Sequence, residues 1–402
     1  MSKFGSAFWG VLDQGLYSFN ALVLAIAVGR EASPTAFGAY GVAFTVFTLA
    51  ITASRAMLVM PFMMEKSRVS NRSVDTAGVL GLTVAVSGLF GSTLFVAALF
   101  FNGSLRPALA TMAISGAFVI FQDVLRYVTL SAYSMRRVCT IDSTWLSLNV
   151  LLQLALLLLD TRSVGMHIGA WGVSVLASFA VVPKRVWQIP SRTIVCRYFR
   201  QNFSHARNLV IEAVGTSGSQ YVATLGLSIY MGLTFAGEVR AAQVLLGPLV
   251  VASQGLLMAA LPSVLRANGT RKQVLTNSAR FSVLLFCFAI FYFAVLVAFP
   301  DALGAALFGG TWTIAQNLLL PLAISQALGA FALGATLAFR AFDITAATME
   351  LRLWLFPLAP SLGLAGAILG SNLGAAIGLA AASLIASIGL WLRLLTTKVE
   401  NV

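Results

Sequence analysis

The feature that most constrains this chain is a succession of apolar runs, each about 20 residues long and almost free of charge. Short turns holding most of the lysines and arginines break them apart. In water such a run has no polar side to offer solvent. In a bilayer each is the length of one crossing, since an α-helix needs about 20 residues to traverse the hydrocarbon. A lipid-exposed backbone must satisfy its own hydrogen bonds, and runs without strict alternation do this as helices. Of the 402 residues, 59% are hydrophobic and 10% are charged, so the polar shell of a soluble core this large is missing.

Twelve runs are legible. They cover residues 4–28, 36–60, 77–101, 107–133, 144–159 and 164–182, then 209–233, 239–261, 281–299, 314–338, 354–369 and 373–392. The turn between the last two rests on Gly370-Ser371-Asn372. The expected fold is all-α, a polytopic membrane protein of about twelve transmembrane helices. Run 4–28 is too long for the apolar core of a cleaved leader and is read as a retained first span.

Charge sets the orientation. With the N-terminus cytoplasmic, 20 of the 26 lysines and arginines fall on that side, and four (Arg30, Arg106, Arg162 and Arg240) fall opposite. Arg55 and Arg126 lie inside spans. A wrong span count would scramble this alternation. Both termini are therefore expected in the cytoplasm, with the protein in the bacterial cytoplasmic membrane. The net charge of +13 is topogenic and matches acidic lipid headgroups, so membrane lipids are expected partners and nucleic acid is not.

The most hydrophilic stretch, 183–208, divides the chain. The expected domains are an N-terminal six-helix lobe (1–183), a cytoplasmic linker with an interfacial amphipathic helix (184–207) and a C-terminal six-helix lobe (208–402). A shift of 199 residues places Asp13 on Glu212 and Asn20 on Ser219. It also places Ala53-Ser54-Arg55 on Ala252-Ser253-Gln254. Six spans return the chain to its starting side, so the repeats are parallel.

Cys139 and Cys196 fall in hydrophilic connections, Cys287 falls in an apolar run, and His167 and His205 sit in no ligand motif. No metal or cofactor is expected. No phosphate-binding glycine loop or nucleophile elbow is present, and the outer connections are too short for a catalytic domain. Transport or scaffolding remains; an enzyme is not expected.

A charge at mid-bilayer costs about 2.5–3.5 kcal/mol. This chain puts Asp13, Arg55, Asp123, Arg126 and Glu212 within spans, where they should face the interior or a wet cavity. Their neighbours follow helical spacing: Asp13, Tyr17 and Asn20; Thr45, Thr48, Thr52 and Arg55; Glu212, Thr216 and Ser219 with Gln220; Arg240, Gln243 and Gly247. Blander readings stand beside this one. Asp13 with Arg55, or Asp123 with Arg126, reads equally as a structural ion pair, and the hydroxyl stripes read as helix packing.

The run Asp13-Gln14-Gly15-Leu16, followed by Val28-Gly29-Arg30-Glu31-Ala32-Ser33-Pro34 and Phe37-Gly38-Ala39-Tyr40, resembles the opening of bacterial polysaccharide flippases, including those for O-antigen. These belong to the multidrug/oligosaccharidyl-lipid/polysaccharide exporter superfamily. Ser54-Arg55-Ala56 and Arg240-Ala241-Ala242-Gln243 through Gly247-Pro248 are also similar to that group. Ala32-Ser33 stands where the family often has Leu-Gly, and the chain stops at twelve spans where many relatives have fourteen. The resemblance implies two six-helix lobes forming a V that opens alternately to each side. It also implies a substrate of a polyprenyl-pyrophosphate-linked sugar or oligosaccharide, and glycan-assembly enzymes as partners. Asp13, Arg55 and Arg240 are the matching charged positions.

On this reading Arg55, Arg126 and Arg240 attract the pyrophosphate, with Tyr17, Asn20, Gln220 and Gln243 beside them. Asp13, Asp123 and Glu212 bind and release a proton or sodium ion. A cation-coupled multidrug exporter of the same superfamily is the alternative. A facilitator-type transporter fits less well, since the loop after span two reads Glu65-Lys66-Ser67-Arg68.

Overall fold

The structure is a computed structural model and describes residues 3–68, 76–266, 271–342 and 345–397. Arg72 and Lys398, two of the cations expected on the cytoplasmic side, lie outside the described residues, as does the side chain of Thr216. Every regular element among the described residues is helical. The chain is a multi-pass membrane protein: nine described helices have the length and apolar composition to cross a bilayer, and Val164–Ala180 is a shorter apolar one.

Spans one to six are Lys3–Glu31, Pro34–Arg68, Thr76–Ala98, Leu105–Ala132, Met135–Leu158 and Val164–Ala180. Span two opens on the Ser33 cap, whose hydroxyl accepts from the Ala36 amide, with Pro34 in the first turn. It then widens into a π-turn at Arg55–Val59, where the Met60 amide donates to the Arg55 carbonyl. Pro61 follows and has no amide hydrogen to continue the α-ladder.

Span five starts at Met135, where the sequence set it at 144, so Cys139 is a buried helical residue and not part of a connection. Arg136, Arg137 and Asp142 make this turn look like a loop. The helix carries Asp142 inward because Arg126 meets its charge.

The linker helix Arg192–Ala213 runs through a π-turn at Val214–Gly218 into Ser219–Met231, which is span seven. It packs against spans two and three, and its Tyr198 joins a core of Leu58, Val59, Phe62, Leu80, Val124 and Ile141. Phe199 and Phe203 remain exposed beside Arg200 and Arg207. Spans eight, nine and ten are Leu233–Arg266, Arg271–Val297 and Gly310–Ala341.

Leu358–Thr396 contains spans eleven and twelve. It folds back at Gly370 (φ −151°) and Ser371 (φ +60°), the turn placed there from sequence. The two legs touch backbone to backbone: a Cβ on Gly366 or Gly374 would overlap the other's carbonyl, and one on Gly378 would overlap that of Leu362.

The chain forms two compact units, Met1–Val214 and Gly215–Val402. In the first, span four packs on spans two, three and six, and span one packs on span five. In the second, span ten packs on spans eight and nine and on the terminal hairpin, and span seven packs on that hairpin. The order of pairing is the same in both.

Candidate functional site

Three carboxylates and two guanidiniums meet within the N-terminal unit. Arg126, on span four, is the hub. Its Nη2 lies 2.8 Å from Asp13 of span one and 2.7 Å from Asp142 of span five, and its Nη1 lies 3.2 Å from Asp123 one turn earlier. Arg55, at the start of the π-turn in span two, grips Asp123 with both Nε and Nη2 at 2.8 Å. The cluster thus ties four spans together. Such charges persist in an apolar bundle only because each has a partner at hydrogen-bond distance.

Tyr17 supplies the floor. Its ring centroid lies 4.6 Å from the Arg126 guanidinium carbon and 5.1 Å from that of Arg55, a cation–π contact with both. Trp145 meets Tyr17 edge-on at 5.8 Å and passes the contact to Trp171 at 5.8 Å. Gln122 donates to Asp142 at 3.1 Å and Gln14 to Asp13 at 3.2 Å.

Burial divides the members. Asp13, Asp123, Asp142 and Arg126 have side chains 0–4% exposed, while that of Arg55 is 33% exposed. Among the described residues, Asp13 Oδ1, Gln122 Oε1 and Arg126 Nε are buried with no hydrogen-bond partner. With three carboxylates to two guanidiniums, the cluster has room for one further positive charge.

Of the residues expected from sequence, Asp13, Tyr17, Arg55, Asp123 and Arg126 come together here. The alternatives considered for them merge into one network: Asp13 pairs with Arg126 and not with Arg55, and Asp123 pairs with both arginines. Asn20 lies apart from the carboxylates, accepting from Asn149.

Glu212 is half-buried in the last turn before the second π-turn, and Arg240 and Gln243 are half-buried near the start of span eight. Gln220 donates to Ser383 of the terminal hairpin at 3.0 Å, and Ser383 also meets Ser325 of span ten.

Sequence reasoning missed Asp142, because span five was started two residues after it. It also missed Glu238, which it left in an outer turn. Glu238 is 8% exposed and accepts from Asn317 of span ten at 3.3 Å and from Asn372 of the hairpin turn at 2.7 Å. The spacing of Asp142, Asn149 and Gln153 on one helical face was the available signal for the first. Glu238→Ala should leave two amides without their acceptor and lower the stability of the C-terminal unit by about 1–3 kcal/mol. Thermal melting in detergent checks this, with Glu238→Gln expected between the two.

Searches against family models and against curated proteins return no match for this sequence. Solved structures do match. The inward-facing conformation of a multidrug resistance MATE family transporter of the MOP superfamily superposes with a TM-score of 0.66 at 14% identity, over 94% of this chain and 93% of that one. The inward closed conformation of the lipid II flippase MurJ gives 0.69 at 12% identity, over 98% and 87%. A mutant of the Vibrio cholerae MATE transporter VcmN gives 0.61 at 14%, over 98% and 95%. The chain shares the fold of these proteins. At such identities the likeness carries no substrate with it, and the cluster must be read on its own chemistry.

Proposed function

We propose that this MOP-fold chain is a transporter that moves a polyprenyl-pyrophosphate-linked sugar or oligosaccharide from the cytoplasmic to the outer leaflet by alternating access, for cell-surface polysaccharide synthesis. The observation that carries this reading is the sign of the charge the cluster presents. Its carboxylates are sealed, and the one member with a third of its side chain exposed is Arg55. A guanidinium held rigid by a bidentate carboxylate at 2.8 Å is suited to a diphosphate, which it meets without reordering. Arg126 then serves as a positioning residue, fixing the carboxylate that fixes Arg55.

Asp13, Asp123 and Asp142, in excess over the arginines, supply the place where a proton or sodium ion is taken up and released. An inside-negative potential also favours outward movement of an anion by about 2.3 kcal/mol per charge per 100 mV. Acidic headgroups of the inner leaflet are the surroundings we assign to the linker helix, with Arg200 and Arg207 toward phosphates and Phe199 and Phe203 toward acyl chains. Glycan-assembly enzymes are the partners this reading implies.

The excess of carboxylates also favours a second reading, a cation-coupled drug exporter, in which an organic cation takes the vacancy in the charge balance. One experiment separates the two. Deleting the gene in its host should remove surface glycan and raise the intracellular pool of lipid-linked sugar, and Arg55→Ala should fail to restore export while the protein accumulates normally. Asp123 keeps Arg126 as a partner in that variant, so folding survives. Unchanged glycans with new sensitivity to cationic drugs would replace the first reading by the second.

A further inference from the structure

The outer end of the N-terminal unit, apart from the carboxylate cluster, holds a histidine whose two ring nitrogens both face oxygen. His167, near the start of span six, is 1% exposed. Its Nδ1 lies 2.7 Å from Gln153 Oε1, and its Nε2 lies 2.9 Å from the Thr161 carbonyl oxygen in the outer loop. A carbonyl oxygen only accepts.

The orientation of the Gln153 amide follows from its other contacts. Its Nε2 donates to the His167 carbonyl at 2.9 Å and to Asn149 Oδ1 at 3.3 Å. Asn149 is oriented in turn, because its Nδ2 donates to the Asn20 carbonyl at 3.1 Å and to Asn20 Oδ1 at 3.2 Å. Asn20 Nδ2 donates to the Leu16 carbonyl at 3.3 Å. Turning over the Gln153 amide would set its oxygen against a backbone oxygen, so Gln153 Oε1 is held as an acceptor. A neutral imidazole has one N–H and one bare nitrogen, and would satisfy one of these two oxygens while opposing the other with a lone pair. The imidazolium satisfies both.

We propose that His167 is a proton-binding site: the conformation described is the protonated one, in which the imidazolium ties the outer loop to spans five and six. Loss of the proton releases a contact, and the one released is Thr161, because Gln153 is held by its amide chain. An acidic exterior closes this loop, and a neutral imidazole loosens it.

Burial of the ring opposes a cation here, and the two hydrogen bonds to oxygen favour it. The elements packed on span six are spans one, two, four and five. Span one carries the half-buried Glu31 at its outer end. Arg30 of span one and Arg106 of span four are exposed, the outer end of span two carries no charge, and Asp160 pairs with Arg162 in the loop at 3.7 Å, both exposed.

The test reads protonation and loop opening without any substrate, so its failure is distinct from failure of the transport reading. With His205→Gln, His167 is the remaining histidine of the two. Ring nitrogen resonances of the labelled protein in nanodiscs, followed against pH, should show two protonated nitrogens wherever the loop amides at 160–163 resist hydrogen exchange. Exchange there, corrected for the intrinsic pH effect, should rise about tenfold through the same titration. His167→Gln should exchange independently of pH. One bare ring nitrogen while the loop is protected, or protection that does not follow the titration, overturns the proposal; the first measurement decides even if His167→Gln fails to fold.

Discussion

Arg126→Met is expected to destabilise the N-terminal unit by about 3–5 kcal/mol and to abolish transport. The mutation leaves Asp13 and Asp142, both within 2.8 Å of one Arg126 nitrogen, buried side by side with no cation between them. Removing one partner of a buried ion pair costs far more than replacing the whole set, because the remaining charge keeps its desolvation penalty. Arg126→Met combined with Asp13→Asn and Asp142→Asn should therefore recover much of the stability and none of the transport. Arg126→Lys should fall between, since one ammonium cannot serve three carboxylates from two nitrogens in a plane. Thermal melting of purified protein, with expression at the membrane as control, measures each. A single Arg126→Met variant that melts with the wild type would show that the carboxylates hold protons and need no cation, which would remove the electrostatic basis assigned to the cluster.

Gly374→Val should lower folded yield more than any change of equal volume on the lipid face. The terminal hairpin closes at Gly366 and Gly374, where the atoms met by an added Cβ are backbone. No flexible side chain can give way, so the two legs must separate. Overpacking of this kind costs about 1–3 kcal/mol, and here it also pulls Asn372 from Glu238. Gly370→Ala is the control: its φ is −151°, nothing lies within 4 Å of the added Cβ, and it should behave as wild type. The monodisperse fraction after detergent extraction reads both. Equal yields for Gly374→Val and Gly370→Ala would mean that the hairpin tolerates separation.

Much of the architecture was legible because lipid imposes a length and a polarity on every crossing. The apolar runs marked the spans. Even the weakest signal, Gly370-Ser371-Asn372, located a real turn, since Gly366, Gly374 and Gly378 admit the return leg only there. The charge cluster was legible in part. Asp13, Tyr17, Arg55, Asp123 and Arg126 stood out as polar residues at helical spacing in apolar surroundings, and the structure gathers them. Asp142 did not stand out, because a charge near the end of a span reads as loop unless its partner is known. Glu238 failed for the same reason, its two amide donors being 79 and 134 residues away.

The sequence by itself determined that the chain is helical and spans a membrane, and which residues are too polar to face lipid. Those properties depend on each residue and its near neighbours, so periodicity and transfer cost suffice to read them. Only the tertiary structure decided who pairs with whom. Asp13 took Arg126 in place of Arg55, Asp142 joined from span five, and Arg55 alone kept an exposed edge. Pairing depends on which helix faces lie opposite at the same depth, and that is fixed by side-chain packing between segments more than 100 residues apart, as for Arg126 and Asp13.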